Sequence, residues 1–177
     1  VVTADGAGSP RTGLYEKFTD EQMKEIRIKE QKKAAYVGEY SFLSLLKYKS
    51  SEIKGDTPQI IADYAQIIKK ANPEIIYTHN IADKHPTHVG VALKVIKAIR
   101  SLPKEQRPEK LYGVEVWRDL DWLNDENKVK LDCGKHLNLE RAMLGVFDSQ
   151  IEGGKRYDLA TEGRRIANAT YAESHGV

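Results

Sequence analysis

The sequence predicts an α/β protein, a three-layer Rossmann-like sandwich built on a mostly parallel sheet. Short apolar strand patterns alternate with amphipathic helix patterns along the chain, and this order produces a parallel sheet with helices on both faces. The 177 residues are also enough for a single domain with a sizeable core.

The chain opens on a strand pattern. Val1 to Ala4 reads as the end of a strand and leads into a glycine-containing loop, from Asp5 to Gly13. Because a native start carries Met and usually some polar residues, we expect the domain at 1–177 to be N-terminally incomplete. We also expect the first strand to be central in its sheet, with a neighbour on each side.

Each later element has its own local signal. A helix is predicted from Thr19 or Asp20, which suit the capping position, to Val37 ahead of Gly38. The pair Thr57-Pro58 opens a second helix that runs to about Lys70. The remaining predicted elements are strands at 39–46, 74–77 and 111–116, and helices at 85–100, 132–147 and 157–172.

Composition excludes several classes of protein. Charged residues make up 31% of the chain and the net charge is +2, without a dominant basic stripe, so we expect no nucleic-acid partner. The single Cys133 excludes an internal disulfide framework and suits a reducing compartment. Because neither a membrane-spanning run nor a signal-peptide pattern occurs, we expect a cytoplasmic protein without a membrane partner.

Three of the five histidines lie within ten residues: His79, His85 and His88. They fall at a predicted strand end and at the start of a helix, where open α/β sheets form their sites. His85 and His88, three residues apart, share a face of the first helical turn, and the helix dipole there disfavours imidazolium. This spacing indicates a metal or catalytic site, although a histidine that caps the helix explains it as well. Two histidines are fewer than the three protein ligands of a catalytic zinc.

Several segments in order resemble one known family. The run Thr-His-Asn-Ile-Ala-Asp-Lys-His-Pro-Thr-His at 78–88 is similar to the second signature of the PIG-L/LmbE family of zinc-dependent N-acetylglucosaminyl deacetylases. Residues 2–8 resemble its strand and glycine loop, 25–30 its Arg-x-x-Glu helix, and 149–150 its Ser-Gln pair. The segments 115–122 and 153–157 further resemble the LmbE-like domain fused to some glucosamine-6-phosphate deaminases.

The resemblance implies an enzyme and the roles of its residues. The implied activity is a zinc-dependent hydrolase that removes an acetyl group from an N-acetylated amino sugar or its conjugate. By resemblance His88 is a metal ligand and His85 the catalytic residue that stabilises the oxyanion. Arg27 would bind a sugar hydroxyl or phosphate. Asp83 would act at the substrate site, or orient His85 or the metal shell, and a turn residue that caps the next helix is the alternative.

One family signature is missing from these residues. The His-Pro-Asp-Asp motif carries two zinc ligands and the general base in the family, and nothing in the chain matches it. We therefore expect this chain alone to bind Zn²⁺ weakly and to be inactive. The expected partners are a small-molecule amino sugar and either a second copy of the chain or a fused upstream domain.

Other functions remain as alternatives. A domain that lost its metal would serve as a non-catalytic sugar-binding or assembly module. A Rossmann-type cofactor binder is disfavoured, because Asp5 to Gly8 lacks the Gly-x-Gly-x-x-Gly spacing. Trp117 and Trp122 could stack on a sugar, but core or interface packing is the commoner role of aromatic residues at a strand end. Cys133 and His136 are too few for a zinc site.

Overall fold

The computed structural model describes residues 1–172 and divides into two compact units. The first unit comprises Val1–Lys47 together with the described residues from Lys130 onward, and the second comprises Tyr48–Val129. The strands and α-helices in chain order are β1 (Val2–Ala4), α1 (Asp20–Val37), β2 (Leu45–Tyr48), α2 (Ser50–Lys54), α3 (Pro58–Ala71), β3 (Ile75–His79), α4 (Pro86–Ser101), β4 (Lys110–Val114), α5 (Leu137–Gly145), α6 (Asp148–Gln150) and α7 (Tyr157–Ala172). Shorter turns of 3₁₀ helix lie at Gly13–Tyr15, Lys104–Gln106, Asp125–Asn127 and Gly134–His136, and a π-helical turn lies at Ile151–Lys155.

In the first unit, helix α1 forms where its capping residues predict. The Thr19 hydroxyl accepts a hydrogen bond from the Gln22 N–H, and the Gln22 side chain accepts one from the Thr19 N–H. This reciprocal pair satisfies two N–H groups at the helix start. Met23, Glu30 and Ala34 are the buried positions, and their helical spacing places them on one face.

In the second unit, β3 and β4 pair in parallel. Ile75 lies opposite Lys110 and the register runs on to His79 opposite Val114. Helix α4 packs on both α3 and β3, and α2 packs on α4. The core of this unit consists of buried apolar side chains from α2, α3, α4 and the residue after α4: Ile53, Ile60, Tyr64, Ile68, Ala92, Val95, Ala98 and Leu102.

The predicted alternation of helices and strands is confirmed, with a parallel pair at β3–β4. Strand β1 pairs with β2 in a separate two-stranded sheet. Within residues 1–172 we find one partner for β1, whereas the sequence predicted a neighbour on each side. No helix in this described part is both long and apolar enough to cross a membrane.

Two predicted elements differ from the structure. The predicted strand at 39–46 is wrong over most of its length, because residues 38–40 instead terminate α1. Gly38 N–H bonds to Ala34 O at 2.8 Å, Tyr40 N–H bonds to Ala35 O at 2.9 Å, and Glu39 is left-handed with φ 49°. The predicted helix at 132–147 is shorter, Leu137–Gly145, because the Asp132 carboxylate accepts the Gly134 N–H and turns the chain before it.

Candidate metal centre

The histidine segment lies in the second unit, between the end of β3 and the start of α4. His79 is the last residue of β3 and His85 is the N-cap of α4. Between them the Asn80 side chain accepts a hydrogen bond from the Ala82 N–H at 2.9 Å, and the Asp83 N–H bonds to Asn80 O at 3.1 Å. This turn is typical of asparagine and directs Asp83 inward.

Asp83 connects the loop to the first turn of α4. One carboxylate oxygen accepts the His85 N–H at 2.7 Å, and the other lies 3.0 Å from His88 Nδ1. The Asp83 side chain is completely buried, while that of His88 is 22% exposed. Burial acts to raise the pKa of Asp83, but the hydrogen bond from His85 and the interactions with His88 and His79 outweigh it and lower that pKa.

The Asp83–His88 contact fixes which imidazole nitrogen carries the proton. An ionised carboxylate can accept hydrogen bonds but has no proton to donate. His88 Nδ1 must therefore be the donor, and in neutral His88 the lone pair is on Nε2. Metal-binding histidines have this arrangement, with one nitrogen toward the ion and the other bonded to a carboxylate.

His79 lies against the His88 ring. Their centroids are 4.0 Å apart and the ring planes differ by 2°. Burial, followed by the neighbouring His88 and His85, lowers the pKa of His79 to about 4, against the opposing effect of Asp83. His79 is consequently neutral at neutral pH.

His79, Asp83 and His88 together offer ligand atoms within 4.8 Å of one another. Two imidazoles and a carboxylate form a donor set that suits a divalent metal such as Zn²⁺. The His79 and His88 rings are stacked in parallel planes, so their nitrogen lone pairs are not directed at one common position in this arrangement. Nε2 of His88 is the imidazole nitrogen that the contact with Asp83 leaves available.

His85 lies beside His88 and also caps the helix. Its Nδ1 accepts the Thr87 N–H at 3.3 Å, and its ring centroid is 4.6 Å from that of His88. The capping role considered in the sequence is thus observed, together with the expected proximity to His88. Thr87 is held by a 2.6 Å hydrogen bond with Ser50, so its hydroxyl contributes to the packing of α4 on α2.

Arg27 belongs to the first unit and has its own network. Its Nη1 lies 2.5 Å from a Glu30 carboxylate oxygen and 3.4 Å from the Ser149 hydroxyl, and its guanidinium is 5.3 Å from the centre of the Phe147 ring. Gly6 lies against the Arg27 side chain, where a Cβ would come within 2.6 Å of Cγ. These contacts hold Arg27 in place, and its role toward a substrate stays a prediction.

The sequence did not assign roles to two residues near this centre. His79 was noticed as part of the histidine cluster but not as the ring that stacks on His88. Glu115 was read as part of a strand, and its buried carboxylate organises the loop that follows β4. The stacking of His79 on His88 depends on the packing of α4 on β3, whereas the hydrogen bonds of Glu115 are local to the loop that follows β4.

The fold and this centre define an α/β protein with a histidine–carboxylate cluster at a strand end. The chain belongs to the PIG-L family, described as GlcNAc-PI de-N-acetylase, whose sequence profile matches residues 1–99. The resemblance of the motifs to the PIG-L/LmbE family is thereby confirmed.

One curated relative and one solved structure are also similar to this chain. The chain is 26% identical over 137 residues to a probable N-acetyl-alpha-D-glucosaminyl L-malate deacetylase 2 of Bacillus cereus. The match covers 75% of this chain and 60% of that relative, so the chain spans about three fifths of its length. The crystal structure of a conserved protein from Thermus thermophilus is similar with a TM-score of 0.70 and 19% identity, over 97% of this chain and 74% of that one. At this identity the likeness shows the shared fold.

Proposed function

We propose that this chain carries part of the site of a zinc-dependent hydrolase that removes an acetyl group from an N-acetylated amino sugar or its conjugate. The observation that carries the proposal is the buried Asp83 carboxylate on His88 Nδ1, which leaves Nε2 for a metal. Membership of the PIG-L family and the deacetylase name of the Bacillus cereus relative support the reaction class.

Each of these residues of the second unit would have its own role. His88 would hold Zn²⁺ through Nε2, and Asp83 would fix the orientation of the His88 ring. A bound zinc supplies a water of lowered pKa and polarises an amide carbonyl. His85, exposed at the N-terminus of α4, would donate a hydrogen bond to the developing oxyanion or a proton to the leaving amine. In the first unit, Arg27 would contact a sugar hydroxyl or phosphate.

Further expectations belong to the same proposal. The three-layer sandwich is supported by the parallel β3–β4 pair and by the packing of α4 on β3. We also retain a cytoplasmic location, and association with a second copy or with an upstream domain. The substrate would be a small molecule, without nucleic acid or membrane.

Zinc binding by histidine variants tests the proposal. We expect the chain to bind Zn²⁺ weakly in a competition titration against a chromophoric chelator, because the His-Pro-Asp-Asp ligands are absent from it. His88→Ala should weaken binding at least about tenfold, whereas His85→Ala should leave the affinity unchanged and lower any turnover of an N-acetylglucosamine conjugate. His136→Ala, at an exposed histidine of the first unit, is the matched control.

Two outcomes would contradict the proposal. Equal zinc affinity of the wild type and His88→Ala would remove His88 from the metal site. Failure of the wild type to bind Zn²⁺ at all would favour the non-catalytic module, which would then be tested by titration with N-acetylglucosamine.

A further inference from the structure

Glu115 is a buried carboxylate directly after β4. It is 3% exposed, and three peptide N–H groups converge on it. One oxygen accepts the Trp117 N–H at 3.0 Å, and the other accepts the Arg118 N–H at 2.8 Å and the Leu120 N–H at 3.3 Å. These three hydrogen bonds tie the Glu115 carboxylate to the backbone of the loop that follows it.

The backbone of this loop is strained. Asp119 has φ 47° and Leu120 has φ 62°, so both lie in the left-handed region that non-glycine residues seldom adopt. Such conformations persist when surrounding contacts impose them. The hydrogen bonds from Arg118 and Leu120 to Glu115 lie on either side of Asp119, so they supply that constraint directly.

The loop places Trp117 next to the candidate metal centre. The Trp117 and His88 rings are nearly parallel, at 18°, with centroids 6.3 Å apart. The Lys84 ammonium, from the loop that carries Asp83, lies 4.6 Å from the centre of the indole ring. All these residues belong to the second unit, and Trp117 is where the loops after β3 and β4 meet.

We propose that Glu115 is a positioning residue, whose buried carboxylate folds the 116–120 loop and thereby fixes the Trp117 indole beside His88 as a wall of the candidate site. The placement of Trp117 follows from contacts within the second unit. Its connection to a bound metal rests on the proposed function. A merely structural Glu115 would stabilise the unit without a separate effect on Trp117.

Tryptophan fluorescence measures the placement directly. The chain has two tryptophans, and Trp122 is 50% exposed, so Trp122→Phe leaves Trp117 as the sole reporter. In this background Glu115→Gln keeps the side-chain size but directs an amide N–H toward a backbone N–H. We expect a red-shifted Trp117 emission and an acrylamide quenching constant about twofold higher, because a half-buried ring becomes exposed when the loop opens.

Two further variants control this experiment. Glu115→Asp keeps both acceptor oxygens, so it should restore part of the wild-type emission, and it also serves if Glu115→Gln does not fold. Glu126→Gln makes the same change at an exposed carboxylate of this unit and should leave Trp117 unchanged. All spectra are compared below the unfolding temperature, where circular dichroism is constant. The proposal is overturned if Glu115→Gln matches Glu126→Gln there, or if the emission changes only as the protein unfolds.

A Cu²⁺ titration separates this inference from the proposed function. Copper bound at His88 would quench the nearby Trp117, and His88→Ala should abolish that quenching. In Glu115→Gln we expect less quenching at saturation with a similar midpoint, since the indole has moved while the ligand remains. Equal quenching in the Trp122→Phe protein with and without Glu115→Gln would overturn the positioning role. Absence of quenching in every variant, with the Glu115→Gln emission still shifted, would count against the metal site and support the placement of Trp117 by Glu115.

Discussion

Each unit of the chain buries a carboxylate in a hydrogen-bonded network, and the two networks differ in the partner. Glu30 in the first unit is 5% exposed and receives Arg27 Nη1 at 2.5 Å, the Ser149 N–H at 2.7 Å and the Ser149 hydroxyl at 2.8 Å. Asp83 in the second unit, whose side chain is completely buried, accepts hydrogen bonds from the His85 N–H and from His88 Nδ1. Arginine is a permanent cation without a lone pair, whereas neutral His88 has a second nitrogen that can bind a metal. Both networks therefore bury a carboxylate, but only the histidine partner of Asp83 keeps a nitrogen lone pair that can bind a metal.

The largest expected effect comes from breaking the network of the first unit. Glu30→Gln removes the charge that pairs with Arg27, whose side chain is 18% exposed and thus largely desolvated. We expect the free energy of unfolding in urea to fall by about 2–3 kcal/mol, somewhat below the loss for a fully buried pair because Arg27 keeps some solvent contact. Glu25→Gln, at an exposed position of the same helix, should stay within about 0.5 kcal/mol of the wild type. Equal stability of the two variants would show that the Glu30 network does not stabilise the unit.

The equivalent change in the second unit should appear in metal binding. Asp83→Asn keeps the shape of the side chain but removes the charge that fixes the His88 proton on Nδ1. We expect the affinity for Zn²⁺ to fall by about 10–100-fold in the same competition titration. Asp125→Asn, which breaks an exposed ion pair with Lys128, is the control and should bind zinc as the wild type does. If Asp83→Asn loses stability but not zinc affinity, Asp83 belongs with Glu30 as a structural carboxylate.

Lys94, a buried cation of the second unit, tests whether the effect of a variant depends on its unit or on the partner of the buried charge. Lys94 on α4 is 8% exposed, and its ammonium donates to Ile53 O and Gly55 O, each at 2.7 Å. Because these partners are backbone carbonyls, we expect Lys94→Met, like Glu30→Gln, to change the stability and not the binding of zinc. The free energy of unfolding should fall by about 1–2 kcal/mol as the two carbonyls lose their donor, with unchanged zinc affinity. Lys70→Met, at an exposed position of α3, is the control.

The difference in stability between the wild type and Lys94→Met should depend on pH with a definite sign. Burial, with a smaller contribution from Lys97, lowers the pKa of Lys94 against the opposing effect of Asp56. Between that lowered value and the ordinary lysine pKa of about 10.4, the unfolded chain binds more protons than the folded protein. The stability of the wild type relative to Lys94→Met should therefore rise as the pH is raised through this alkaline window. A difference that is flat with pH, or that falls, would contradict the burial of a charged Lys94.

Local signals predicted much of the fold. The capping residues of α1 and the Thr57-Pro58 start of α3 gave those helices within a residue or two, and α7 occupies its predicted range. The strand predicted at 39–46 failed because a run of aromatic and apolar residues does not distinguish a strand from an exposed segment. Phe42 is 56% exposed, and the chain there is shaped by the end of α1 rather than by a sheet.

The candidate site could be predicted in part. The spacing of His85 and His88 was enough to expect their rings to be neighbours, as they are at 4.6 Å. Sequence spacing left open whether Asp83 would orient His85 or the metal shell, because the answer depends on the turn at Asn80. The proximity of Trp117 to His88 depends on the parallel pairing of β3 and β4, which joins residues far apart in the chain.

The smallest effects compare the packing of one helix in each unit through the same substitution. In α4 of the second unit, a Cβ at Gly90 would lie 2.6 Å from Ile53 O, a backbone atom of α2. No side chain can move aside to relieve that contact, so the two helices must separate, and Gly90→Ala should lower the free energy of unfolding by about 1 kcal/mol or somewhat more. In α7 of the first unit, a Cβ at Gly163 would meet nothing within 4 Å. Gly163→Ala should raise the stability by about 0.5–1 kcal/mol, because alanine loses less backbone entropy than glycine in a helix.

Opposite signs of these two effects in urea unfolding would confirm that α4 is held against α2 at Gly90, close to the turn that carries His88. A neutral or stabilising Gly90→Ala would show that α2 can move away without loss, and the rigid support for the first turn of α4 would then have to come from Asp83 and the hydrogen bond between Ser50 and Thr87.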